Sequence, residues 1–307
     1  MKYYIGIDLG GTNVRTLLVD ETGAVHSELK GDTEATKGPE YVYEKICGQI
    51  DTLDLTDCGG SLSGVEGIGI GVPGPVDTVN KVMVMATNLP GFENYQICHK
   101  LQEKYNIPAF IDNDANVAGL AEAVLGAGKG CPIVYYTTVS TGIGGALVVD
   151  GKLVSGGRGH AGEIGNIIVN TNGKKINHLN VGAVENEASG TFVTKKGKER
   201  IGEDKVAHAG DVFRLAAEGN EIAQGIVDEF IDFLSTMYAN IAHVVDPYVF
   251  VVGGGVMKSK EYFWDRLVEA FNSKIHVGMQ GHIKFVQAEL ADCGAIGAAM
   301  LPMSQLK

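Results

Sequence analysis

Four segments of this sequence combine residue types that handle phosphate and protons. Asp8-Leu9-Gly10-Gly11-Thr12, Ser140-Thr141-Gly142-Ile143-Gly144-Gly145 and Gly253-Gly254-Gly255 each follow a run of β-forming residues, and Asn113-Asp114 stands at the head of a helical stretch. Glycine turns present backbone N–H groups, and with the Thr12 and Thr141 hydroxyls the two hairpin loops offer donors to phosphate oxygens. Asp8, at a strand end beside such an anion, is placed to hold Mg²⁺, which keeps several waters and takes one or two carboxylates. Any one of these loops alone reads as a plain turn. Four in one chain favour a phosphate site.

Rival chemistries have weaker support. No Gly-Lys is followed by Ser or Thr, so the P-loop pattern is missing, and no G-x-S-x-G elbow points to a hydrolase. Gly69-Ile70-Gly71-Val72-Pro73-Gly74 fits the spacing of a dinucleotide loop, with Glu93 at about the right distance for a ribose partner. Pro73 and Pro75, however, stand where that fold needs a helix N-terminus with free N–H groups, so a strand-end turn is the better reading. A net charge of −12 without a Lys/Arg cluster argues against a nucleic-acid partner. Cys47, Cys58, Cys98, Cys131 and Cys293 are scattered without a C-x-x-C pair, as expected of reduced thiols in the cytoplasm. The start MKYYIGIDLGGT lacks a signal-peptide core, and no stretch approaches about 18 uninterrupted apolar residues, so no membrane partner is expected.

The elements that must position these residues follow from periodicity. Residues 3–9 and 14–20 form a hairpin with Gly10-Gly11 at its tip, and 133–149 repeats the pattern around Gly142–Gly145. Helical spacing marks 39–55, 113–126 and Glu221–Val245, the last ending at Asp246-Pro247. Val65–Val72 and Val249–Val252 read as buried strands, and a final helix runs from Asp292 through Met300 before Pro302. Strands and helices alternate in both halves, so the class is α/β, with two related domains around a cleft.

The segments IGIDLGGTNVR, TNLPGF at 87–92, DNDAN at 112–116, TGIGGALVVDGKLVSGGRGHAGEIGN at 141–166 and NIAHVVDPYVFVVGGG at 240–255 resemble the ROK sugar kinases of the actin/Hsp70-like ATPase superfamily. The resemblance implies two actin-like (ribonuclease H-like) domains flanking a nucleotide/sugar cleft. They are expected at 1–112 plus 290–307 and at 113–289. ATP would lie on Asp8, Gly10, Gly11, Thr12, Thr141, Gly142, Gly144, Gly253, Gly254 and Gly255, with Asp8 holding Mg²⁺ through water. Asp114 would be the catalytic base, since a carboxylate at a helix N-terminus is favoured as the anion yet accepts a proton as an alcohol attacks phosphate. Gly74, Asn88, Asn113, Asp114, Glu163, Asn166 and Glu185 would bind the sugar. The implied reaction is phosphorylation of a hexose hydroxyl, foremost the 6-OH of glucose, by a homodimer. Kinases for N-acetylmannosamine, allose, fructose or a β-glucoside, and a non-catalytic sugar-binding or regulatory protein, stay open as alternatives.

In one place the sequence departs from the family pattern. The family follows its GEIG segment with a histidine and a cysteine-rich loop, which bind a structural zinc. Here the position is Asn166, and 172–188 has no cysteine. His160 and His178 alone fall short of a four-ligand structural site, so no zinc is expected.

Overall fold

Alternation in β1 (Tyr3–Leu9) sends Tyr3, Ile5, Ile7 and Leu9 into the core under one sheet face and leaves Tyr4, Gly6 and Asp8 on the other. The chain continues through β2 (Asn13–Asp20), β3 (Val25–Asp32), α1 (Pro39–Thr52), β4 (Val65–Val72), β5 (Val76–Asp77), β6 (Val82–Met83), α2 (Ile97–Tyr105), β7 (Ala109–Asn113) and α3 (Asp114–Val124). Then follow β8 (Ile133–Val139), β9 (Ile143–Val149), β10 (Lys152–Leu153), α4 (Val184–Ala188), α5 (Gly190–Arg200), α6 (Ala209–Ala217), α7 (Glu221–Val245), β11 (Val249–Gly253), α8 (Trp264–Lys274), β12 (Lys284–Gln287) and α9 (Cys293–Gln305). This computed structural model describes residues 1–86 and 88–306; Thr87 of the 87–92 segment and Lys307 lie outside the described residues.

The chain divides into two compact units, residues 1–132, 146–162 and 289–307, and residues 133–145 and 163–288. The expected boundary at 112/113 differs from this division, because α3 packs on α9 in the first unit rather than travelling with β8. The first unit holds a sheet of order β3-β2-β1-β4-β7, antiparallel on the hairpin side and parallel from β1 to β7. Gly6 and Gly69 are register partners on β1 and β4, and both lie against the backbone of α9. A side chain at either would strike the carbonyl of Ala295 or Ala298, so only glycine allows this approach. The Ala298 carbonyl is also the one that Pro302 cannot serve, and α9 runs on through Pro302 to Gln305 instead of stopping before it.

The second sheet has order β10-β9-β8-β11-β12, with β11 parallel to β8 and to β12. α7 begins where the Asn220 side chain accepts from Ala223 N at 2.9 Å and ends at left-handed Asp246. Its Tyr238 packs edge-on to Phe250 and Phe285, and its Phe230 closes a second cluster with Phe213 and Phe263, each pair 5.1 Å apart. Among the described residues, no helix is long and apolar enough to cross a membrane.

A charged clamp braces the outer end of the first sheet. His26 has Nε2 at 2.8 Å from Asp20 and Nδ1 at 2.7 Å from Asp57. The hydrogen bonds to Asp20 and then Asp57 hold the imidazole above its ordinary value of 6.5, while burial would raise Asp20 but the bonds from His26, Thr22 and Ala24 hold it near 2. Because the folded-state value of His26 is raised, its stabilisation is complete below pH 6.5 and disappears as pH rises through that higher value. His26→Gln is therefore expected to melt about 2–4 °C below the parent at pH 6, with the gap closing as the buffer becomes alkaline; calorimetry across pH checks it.

Candidate active site

In the first unit, the glycine turn between β1 and β2 is closed by Gly10 N donating to Asn13 O at 2.9 Å. Fully buried Thr33 braces it from beneath, donating its hydroxyl to Gly10 O and its N–H to Thr12 O, both at 2.6 Å. Gly11 lies so close to Asn88 that a Cβ would come within 2.9 Å of the Asn88 Cβ, which joins the phosphate loop to a residue expected on the sugar side. Asp8 ends the β1 face that meets α9, where a Cβ on Gly294 would touch its carboxylate at 3.1 Å. Burial raises Asp8 above the ordinary carboxylate value, Arg15 pulls it back, and Asp292 adds to the rise. A desolvated anion of this kind gains from a nearby cation, so the donor fits a hydrated Mg²⁺.

Where β7 turns into α3, three side chains order one corner. Asn113 caps the helix, its Oδ1 accepting from Ala115 N at 2.7 Å and Asn116 N at 3.4 Å while its amide donates to Gly74 O at 3.1 Å. Two of the expected sugar residues, Gly74 and Asn113, are thus brought together, and Asn113 spends its carbonyl oxygen on the helix. Asp112, wholly buried, accepts from Asn113 N, Asn116 Nδ2 and Ser155 Oγ, and burial raises it despite these bonds. Asp114 follows as the first helical residue, exposed, with Oδ1 2.8 Å from Ala115 N. The helix start therefore fixes the direction of this carboxylate.

In the second unit, the β8–β9 turn carries Thr141 and Gly142, while Gly144, expected in the turn, already lies in β9. Glu185 on α4 reaches it, Oε2 accepting from Ile143 N at 2.8 Å and lying against Gly142 and Gly165. Glu163 is exposed at the start of the 164–166 turn, and Asn166 in that turn accepts from Asn180 N at 2.7 Å. Gly254, with φ 93°, crosses the backbone of Val139 too closely for any side chain, and so seats the Gly253–Gly255 turn on the end of β8.

Beside that turn lies a cavity of about 550 Å³ within the second unit. Thr141 and Gly255 line it as part of the expected nucleotide set, together with Thr191, His208, Phe213 and Lys258, which the sequence analysis did not single out. The starts of α5 and α6 and the turn at Gly255 all line it, and Phe213 and Val256 give it apolar surface. The missed residues carry no motif: Gly190 N donating to Ser140 O at 2.8 Å brings the start of α5 to the loop, and only folding does this.

A family model, that of the ROK family, matches residues 4–305. The chain belongs to the ROK family. It is 31% identical to the glucokinase of Thermotoga maritima, over 97% of this chain and 96% of that one. Among solved structures, the ROK hexokinase of Thermus thermophilus superposes with a TM-score of 0.85 at 31% identity, covering 98% and 97% of the two chains. A ROK family glucokinase from Streptomyces griseus, solved in complex with glucose and AMPPNP, has a TM-score of 0.72 at 28% identity, covering 97% and 98%. The expected α/β class and the two actin-like units are those of this ROK fold.

The zinc implied by the family resemblance would need cysteine donors that the 172–188 stretch does not have. Among the described residues, no three His, Cys, Asp or Glu side chains gather where they could hold a metal. Among the described residues, the buried side-chain atom left without a partner is an amide oxygen, Asn186 Oδ1, which is not a zinc-type donor.

Proposed function

We propose that this ROK protein is an ATP-dependent hexose kinase acting foremost on the 6-OH of glucose. The observation that carries the reading is Asp114, an exposed carboxylate aimed by a helix start whose cap, Asn113, is itself tied to Gly74. In this reading Asp114 takes the proton of the sugar hydroxyl as its oxygen attacks the γ-phosphorus. Asn88, Asn113, Glu163, Asn166, Glu185 and Gly74 bind the sugar, and the N–H groups around Gly10–Thr12, Thr141–Gly144 and Gly253–Gly255 hold the nucleotide. Asp8 would hold Mg²⁺ through water, and the ion would neutralise charge on the phosphate oxygens. The 550 Å³ cavity beside Gly255 supports a nucleoside site in the second unit. Likeness to a relative solved with glucose and AMPPNP supports the pair of substrates. A cytoplasmic homodimer is part of the same proposal, on the family resemblance.

A hexose panel with ATP, read as coupled ADP release, tests it. Glucose is expected to give the fastest Mg²⁺-dependent turnover. Faster turnover of N-acetylmannosamine, allose, fructose or a β-glucoside would move the assignment to that sugar. Sugar binding by calorimetry without ADP release from any of them would instead indicate a regulatory binder.

A further inference from the structure

The segment between Asn166 and Ala188 has to deliver Glu185, yet it has neither a thiolate nor a metal cluster to hold it; no cysteine lies between Cys131 and Cys293. Its internal ties join the segment mainly to itself: Val169 N and Asn170 N share the Gly182 carbonyl, Ile168 and Ala183 form an antiparallel bridge flanked by Val184 N on Ile167 O, and Asn180 N donates to the Asn166 side chain. α4, at five residues, is too short to be stable by itself. Its position must come from outside.

Glu185 and Glu187 stand two residues apart on α4, about 200° around the helix, and so point to opposite sides. Glu185 takes Ile143 N–H on one side. On the other, Glu187 Oε1 accepts from Asn170 Nδ2 at 3.0 Å, and the Lys196 ammonium closes the remaining contacts. Lys196 Nζ lies 3.0 Å from Glu187 O, 3.4 Å from Glu187 Oε2 and 3.0 Å from Glu229 Oε2. All three of its protons are used. Arg200, one turn further along α5, pairs with Glu229 at 2.5 Å, so two cations meet two carboxylates. The side chains of Lys196 and Glu187 are only 14% and 11% exposed, where an ion pair is little screened.

We propose that Lys196 is a positioning residue for sugar recognition, a single cation that joins α4 to α5 and α7 and holds the 166–188 segment where other ROK proteins use zinc. This rests on the kinase reading for its effect on sugar, but its effect on the segment does not. The test compares the full-length parent with Lys196→Met and Lys196→Arg by hydrogen exchange, steady-state kinetics and metal analysis.

In Lys196→Met, amides of 166–188 should exchange about tenfold faster or more while those of α7 keep their protection. The KM for the phosphorylated hexose should rise about tenfold with kcat and the KM for ATP within about twofold, and Lys196→Arg should restore most of both effects. The parent should carry no stoichiometric zinc, and a chelator should leave its exchange unchanged. Unchanged exchange at 166–188 in Lys196→Met would overturn the proposal, as would a chelator that loosens the same amides in the parent. If Lys196→Met does not fold, Glu229→Gln, which removes one carboxylate charge from the ammonium, is read in the same way. Loosened amides in a protein with no kinase activity would leave the clamp standing and reject the kinase reading alone.

Discussion

Asp114→Asn is expected to lower kcat by about 10²–10⁴-fold, the usual worth of a positioned general base. The substitution keeps the shape of the side chain and an oxygen for Ala115 N, so α3 should start as before and the melting temperature should hold. ATP should bind as in the parent, because Asp114 is neither in the cavity beside Gly255 nor among the loop residues proposed for the nucleotide. The loss should therefore appear in kcat with the KM for ATP nearly unchanged, which marks an interaction made as the proton leaves. A variant within about threefold of the parent in kcat would take Asp114 out of the role.

Glu122→Ala should produce the largest loss of stability, about 3–5 kcal/mol and a fall in melting temperature of about 8–15 °C. Glu122 is wholly buried in α3, and its carboxylate accepts three backbone N–H groups: Ala127 at 3.0 Å, Glu289 at 2.9 Å and Leu290 at 2.7 Å. The last two stand where the chain re-enters the first unit. Alanine leaves three N–H donors, on half-buried Ala127 and Leu290 and exposed Glu289, without the acceptor they share, each a loss of at most about 1–3 kcal/mol that water entry and relaxation partly recover. Glu122→Gln, which keeps one acceptor oxygen and turns an amide toward an N–H, should fall between the two. A thermal melt of Glu122→Ala within about 3 °C of the parent would mean that the carboxylate is not structurally important.

How much of this was legible before folding depends on where each residue finds its partners. β4 and α7 have the bounds their periodicity predicts, because burial of one stripe or a short apolar run is written into neighbouring residues. Asn113 and Asp114 open a helix for an equally local reason, the cap. β3, with mixed polarity and no buried residue, showed no clear period and was missed, as was the boundary that keeps α3 in the first unit. The line between helices 3 and 9 is drawn by close packing of Gly297 on the Val117 carbonyl, a contact between segments 180 residues apart in number.

By itself the sequence determined the α/β class, the two glycine hairpins and the identity of the family, and it singled out the residues proposed for phosphate and proton transfer, since these are encoded in local pattern and short motifs. Only the tertiary structure decided what holds those residues in place. Thr33 under the Gly10 turn, Glu122 at the returning chain and Lys196 behind Glu187 all look like ordinary residues in the sequence. Their roles exist because folding buries polar groups from distant segments together, and a buried donor or charge must be matched there by a partner that no spacing rule identifies.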